Sequence, residues 1–172
     1  VCYENYKKTH SDTENANAPA RYAMVELENI HDEALKFSPI HRIVTETDEE
    51  ALLEELQKTC CAPEGYPVQW YTKERQGVLY LNPNKSSLAV AILQNFLDEY
   101  LKNHRGQMDY IHGEEALKNL AEKENAVGFL LPAMEKRELF PYVTESGTLP
   151  RKTFSMGHAT EKRYYLEARQ IR

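Results

Sequence analysis

Leu88 to Ser146 reads LAVAILQNFLDEYLKNHRGQMDYIHGEEALKNLAEKENAVGFLLPAMEKRELFPYVTES, and its changing periodicity decides the fold. Leu88, Ile92, Leu93, Phe96 and Leu97 recur at helical spacing, with Leu101 one turn on, and predict a helix over 88–103. Met108 to His112 is too short for a helix and reads as a strand. Gly113-Glu114-Glu115 opens a second helix that runs to Lys123, with Ala116, Leu117, Leu120 and Ala121 turned inward. Ala126 to Leu131 (AVGFLL) is almost wholly apolar and bounded by Pro132, the pattern of a central strand buried on both faces. Glu135 to Ser146 forms a third helix, stopped by Gly147 with Pro150 just beyond. Helices and strands therefore interleave. That predicts an α/β or α+β fold, a single domain over 1–172 with a mixed β-sheet flanked by about four to five helices.

Moving upstream, Pro67 to Lys73 and Gly77 to Leu81 alternate and predict a hairpin joined through Glu74-Arg75-Gln76-Gly77. Thr47 followed by Asp48-Glu49-Glu50 is a helix start, with Thr47 as the cap and Glu50 at the capping-box position. Phe37 to Val44 is a short apolar stretch, and Tyr22 to Ile30 alternates well enough to predict a strand. Ser11 to Ala20 is polar, contains Pro19, and reads as a flexible loop. Val1 to His10 reads as a short helix. Val1 is not an initiator methionine, and the first ten residues look like the second half of a helix, so the chain is expected to be a piece of a longer protein.

Composition narrows the function classes. The chain has 172 residues, 41% hydrophobic, enough for a real core. A net charge of −6 argues against nucleic acid as the partner. No apolar run approaches the roughly 20 residues that span a bilayer, so no membrane is expected. Adjacent Cys60 and Cys61, with Cys2 far away, form neither a disulfide framework nor a zinc spacing, which fits a reducing cytoplasm. The charge is unevenly spread. Leu149 to Arg172 holds six Lys/Arg against two Asp/Glu, leaving 15 against 25 in the remainder. A basic strip ending an acidic chain suggests a device for holding an anion.

Two constellations could supply chemistry. In Pro39-Ile40-His41-Arg42 the dipeptide sits in a strand, so His41 and Arg42 point to opposite faces and only one can enter a given cleft. Arg42 could fork onto a phosphate or carboxylate, and His41 could act in proton transfer. The bland alternative makes His41 an edge histidine and Arg42 half of a surface ion pair. The second constellation is Arg151, Lys152, Thr153, Ser155 and His158, around Gly157: two cations, two hydroxyls and a histidine that could surround a phosphate. It lacks the spacing of a P-loop. Its alternative is a basic tail folded on an acidic face. Beyond it, Glu161 to Arg169 reads as packing and charge pairing, in a strand or a helix.

These segments also carry a resemblance. Ser38-Pro39-Ile40-His41-Arg42 resembles the P-T-H-R segment of the bacterial family called domain of unknown function 1015. Leu88 to Leu93 is similar to its L-D-V-x-x-L helix start, with Ala89 in place of the family's Asp. Tyr110-Ile111-His112-Gly113 resembles its Y-x-H-G segment, Gly128 to Pro132 its F-L-L-x-P strand, and Gly147 to Thr153 its G-x-x-M-P-x-K-S-T signature. The matches run in order along nearly the whole chain. The resemblance implies a longer protein whose N-terminal half is similar to the ParB/sulfiredoxin-like superfamily, which includes nucleotide-using enzymes and kinases.

The expectation is thus a cytoplasmic domain that completes a phosphate or nucleotide cleft with that N-terminal half, in a kinase-like protein. Arg42, Arg151, Lys152, Thr153, Ser155 and His158 would hold the anion of a small phosphorylated ligand, and His41 would move a proton. The competing expectation is a structural or interaction domain without chemistry.

Overall fold

A computed structural model describes residues 2–23 and 27–157, and contacts divide the chain into two compact units. The smaller includes residues 1–30. Its described elements are α1 (Cys2–Lys7), α2 (Asp12–Asn17) and a 3-10 turn (Pro19–Arg21). Tyr3 donates its hydroxyl to the Asn15 carbonyl at 3.4 Å. The Ser11 to Ala20 segment is therefore helical, not a loop. Ser11 and Glu14 cap each other reciprocally, a box that satisfies two free N–H groups and offsets the segment's polarity.

The larger unit begins at residue 31. Its elements are β1 (Phe37–Thr45), α3 (Glu49–Cys60), β2 (Cys61–Tyr71), β3 (Gln76–Leu81), α4 (Ala89–Asn103), β4 (Gln107–His112), α5 (Glu114–Ala121), β5 (Val127–Leu130), α6 (Lys136–Ser146) and β6 (Phe154–Met156). The strands form one sheet in the order β3-β2-β5-β1-β4, and β6 pairs with the first residues of β1. The α/β architecture expected from Leu88 to Ser146 is the one observed, with each helix and strand of that stretch in place. Every pairing among the described strands is antiparallel, so the sheet is not mixed in strand direction.

The strand β5 runs between β2 and β1, and Val127 and Phe129 are fully buried. On one face α3 and α4 supply Leu52, Leu56, Leu93 and Leu97 to the main core, against Val44 and Phe129. On the other face α5 packs Leu117 against Ile43 and Ala126. Each such leucine contributes about 1.5–3 kcal/mol by leaving water. With both faces covered, β1 is buried from Ile40 to Val44, His41 and Arg42 included.

Three further expectations are corrected. Tyr22 to Ile30 contains no strand among its described residues; Tyr22 and Leu27 are exposed, so the alternation has no core to face. The cap of α3 is Asp48, whose Oδ1 accepts from the N–H groups of Glu50 and Ala51, while Thr47 is buried one residue earlier. A carboxylate at the positive helix end outcompetes the hydroxyl. The hairpin is present, but its turn is Thr72 to Arg75, with Gln76 and Gly77 already paired in β3, and β2 starts at Cys61 and carries an irregular register between Cys61 and Tyr66. The segment from Glu161 onward lies outside the described residues.

Candidate functional site

Strand alternation decides which side chain can meet which. Arg42 lies opposite Tyr110 on β4 and points to the α4 face, whereas His41 points to the α5 face. The dipeptide is split between the two faces of the sheet, as its position in a strand predicts.

Arg42 is fully buried. Its Nε donates to Gln94 Oε1 at 2.8 Å, and Gln94 passes on a hydrogen bond from Nε2 to Asp98 Oδ1 at 2.8 Å. Arginine can only donate, so it fixes the orientation of the Gln94 amide. Nη1 donates to the carbonyls of Ile40 and Lys152 at 2.7 and 3.1 Å, and Nη2 to the carbonyl of Arg151 at 2.8 Å. The guanidinium also lies 4.6 Å from the centre of the Tyr110 ring. Burial lowers its pKa to about 10, partly offset by Tyr110 and Asp98, so it stays charged at neutral pH. Its partners are dipoles and a ring face; Asp98 acts through Gln94.

These bonds shape the turn after α6. Lys152 adopts a left-handed backbone (φ 55°), and the buried Thr153 closes the turn by donating its hydroxyl to the Pro150 carbonyl at 2.7 Å. The turn shows its carbonyls to Arg42 and leaves the Arg151 side chain outside, 5.6 Å over the same Tyr110 ring. Beside it lies a groove of about 700 Å³ lined by Lys85, Ser86, Asp98, Tyr110, Thr148 and Arg151, among others. Two lining cations, the hydroxyls of Ser86 and Thr148 among others, and the buried charge of Arg42 favour an anion there; Asp98 opposes it.

The remaining expected residues are dispersed. Lys152 is exposed on the turn but does not line the groove. Ser155, on β6, donates to the Gly157 carbonyl at 3.4 Å. His158 lies outside the described residues. His41, 4% exposed, accepts the N–H of Leu131 at Nδ1 (3.2 Å) and lines a separate pocket of about 370 Å³ at the start of α5. Burial lowers its pKa, with Glu114 opposing and His112 and Arg42 adding to the shift.

Gln94, Asp98 and Tyr110 were not among the expected site residues, although Tyr110 opens the Y-x-H-G segment. Gln94 had a readable signal: a polar residue directly after Leu93 on the apolar stripe of α4, buried like its neighbours. A larger concavity of about 1300 Å³ opens where β1 ends, among Glu46, Asp48, Glu124, Lys73 and Arg105. There Lys73 already pairs with Glu124 at 2.9 Å, and acids outnumber bases. Among the described residues no three His, Cys, Asp or Glu side chains are grouped to hold a metal ion, and no helix is long and apolar enough to cross a membrane.

Comparison with curated proteins and with solved structures finds no match. A family model described as "Protein of unknown function (DUF1015)" matches residues 2–170, nearly the whole chain and every segment that shapes the groove. The chain belongs to the DUF1015 family.

Proposed function

We propose that the groove beside Tyr110 is one wall of a cleft for a phosphate-bearing small molecule, with Arg151 as its principal cation. The observation that supports this reading is the use made of Arg42. A buried guanidinium is spent on two carbonyls of the Pro150–Thr153 turn, and the result is a second arginine held over the same aromatic ring at the edge of a groove. Holding a long side chain in place reduces the entropy lost when it grips a ligand. Lys85, Ser86 and Thr148 lie where further phosphate oxygens could be met. An N-terminal half of the kind the family resemblance implies would supply the opposite wall, and with it a nucleotide and a kinase-like transfer.

Calorimetric titration of the chain with inorganic phosphate and with ATP tests the reading. Binding that weakens roughly tenfold in Arg151→Ala supports it. Equal affinity in wild type and Arg151→Ala, or no heat with either ligand, sinks it. The interaction reading draws on α6, where Phe140 and Val143 are 64% and 42% exposed one turn apart; a chain blind to both ligands would favour that reading.

A further inference from the structure

The pocket that holds His41 has a chemistry of its own. It lies at the start of α5, on the sheet face away from Arg42, and is lined by Ser38, His41, Gly113, Glu114 and Leu131 among others. A backbone N–H can only donate. The bond from Leu131 therefore fixes Nδ1 as an acceptor and puts the proton of the neutral ring on Nε2. Nε2 has no hydrogen bond among the described residues, although the residue is only 4% exposed. His41 thus offers the pocket an N–H donor. It could take up a further proton only by giving up Leu131.

The start of α5 borders the same pocket through Gly113 and Glu114. Gly113 caps α5 with a left-handed backbone (φ 94°) and no side chain. Leu117 makes the first bond back to Gly113, so the N–H groups of Glu114, Glu115 and Ala116 have no partner within the helix. The Ser38 hydroxyl adds a donor. The charged acceptor in the pocket, Glu114, is already bound to Lys118 at 2.7 Å.

We infer that this pocket is a second ligand site, separate from the Arg151 groove, and that it takes a small oxyanion, a carboxylate or a phosphate, on His41 Nε2–H and the first-turn N–H groups of α5. An N–H that opens on a pocket without a protein partner is placed to meet an oxyanion, and the helix dipole adds to the attraction. The volume suits a small metabolite.

The test is a ¹⁵N NMR titration of the chain with acetate in one arm and inorganic phosphate in the other. Saturable shifts of the Glu114 and Glu115 amides and of the His41 Nε2–H are expected in at least one arm, and the responding arm names the group. His41→Asn keeps an acceptor for Leu131 and deletes the Nε2 donor, so it should weaken binding about tenfold. His41→Gln, which restores a donor at that reach, should bind more tightly than His41→Asn. Arg151→Ala should leave these shifts unchanged. No saturable shift in either arm overturns the inference, as does full affinity in His41→Asn. Loss of the α5 shifts in Arg151→Ala would overturn it too, while leaving the groove reading intact.

Discussion

Arg42 Nη2 donates to the carbonyl of Arg151 at 2.8 Å, joining two residues 109 positions apart. One arginine acts as scaffold and the other is presented by it. Replacing Arg42 therefore strikes stability, whereas replacing Arg151 strikes binding. Arg42→Ala strips partners from the carbonyls of Ile40, Arg151 and Lys152 and from Gln94 Oε1 inside the core. A loss of about 3–5 kcal/mol is expected in urea denaturation. Arg42→Lys should recover little of it, because an ammonium cannot reproduce the fork. Arg151→Ala should cost no more than about 1 kcal/mol, the scale of an exposed cation–π contact.

Tyr110 receives both guanidinium groups, Arg42 at 4.6 Å and Arg151 at 5.6 Å from its ring centre. The contact needs the ring face and not the hydroxyl. Tyr110→Phe should keep wild-type stability within about 0.5 kcal/mol, and Tyr110→Leu should lose about 1–2 kcal/mol. Equal urea midpoints for the Phe and Leu variants would show that the ring face contributes nothing.

The pH dependence of stability should contain a contribution from His41. Burial holds its folded pKa below the ordinary 6.5, so the folded chain resists the proton that the unfolded chain accepts. The stabilisation is complete above about pH 6.5 and is lost as pH falls through the folded value, at up to ~1.4 kcal/mol per pH unit. Glu114 opposes the shift, while His112 and Arg42 add to it. Urea midpoints measured from neutral to mildly acidic pH should fall more steeply for wild type than for His41→Asn; parallel slopes would remove His41 as the cause.

The α5 face is closely packed over β5. A Cβ at Gly128 would stand 3.2 Å from Leu117 Cγ and Cδ1 and 3.3 Å from Ala121 Cβ. Gly128→Ala should destabilise by about 1–3 kcal/mol through overpacking. In the background of Leu117→Ala, which opens that space, the same change should cost less, a coupling that a double-mutant cycle measures. Additive effects would show that α5 can shift freely.

What the sequence made legible follows from how far each signal reaches. The periodicities of Leu88 to Leu97 and of Ala126 to Leu131 are local and strong, and α4 and β5 stand where they pointed. The split of His41 from Arg42 was equally readable, because it needs nothing beyond strand alternation. The partners were not. Arg42 finds Gln94, Tyr110 and the Arg151 carbonyl through pairings that no local pattern encodes, and a backbone turn takes two of its four hydrogen bonds. Basic residues clustered in sequence also overstated the site: Arg151 reaches the groove while Lys152, its neighbour, does not line it.

Lys152 separates backbone from side chain most cleanly. Its φ of 55° lies in the left-handed region, which costs a residue with a Cβ roughly 1–2 kcal/mol, and its carbonyl accepts from Arg42 at 3.1 Å. The exposed ammonium plays no part in that bond. Lys152→Gly removes the strain and keeps the carbonyl, but it also loosens the unfolded chain, so a net gain of up to about 1 kcal/mol is expected. Lys152→Val, β-branched at the same φ, should lose stability instead. If phosphate affinity survives in Lys152→Gly and falls in Arg151→Ala, the turn serves the groove through its shape and through Arg151 alone. A stability loss in Lys152→Gly comparable to that of Arg42→Ala would mean that the side chain, and not the carbonyl, holds the turn.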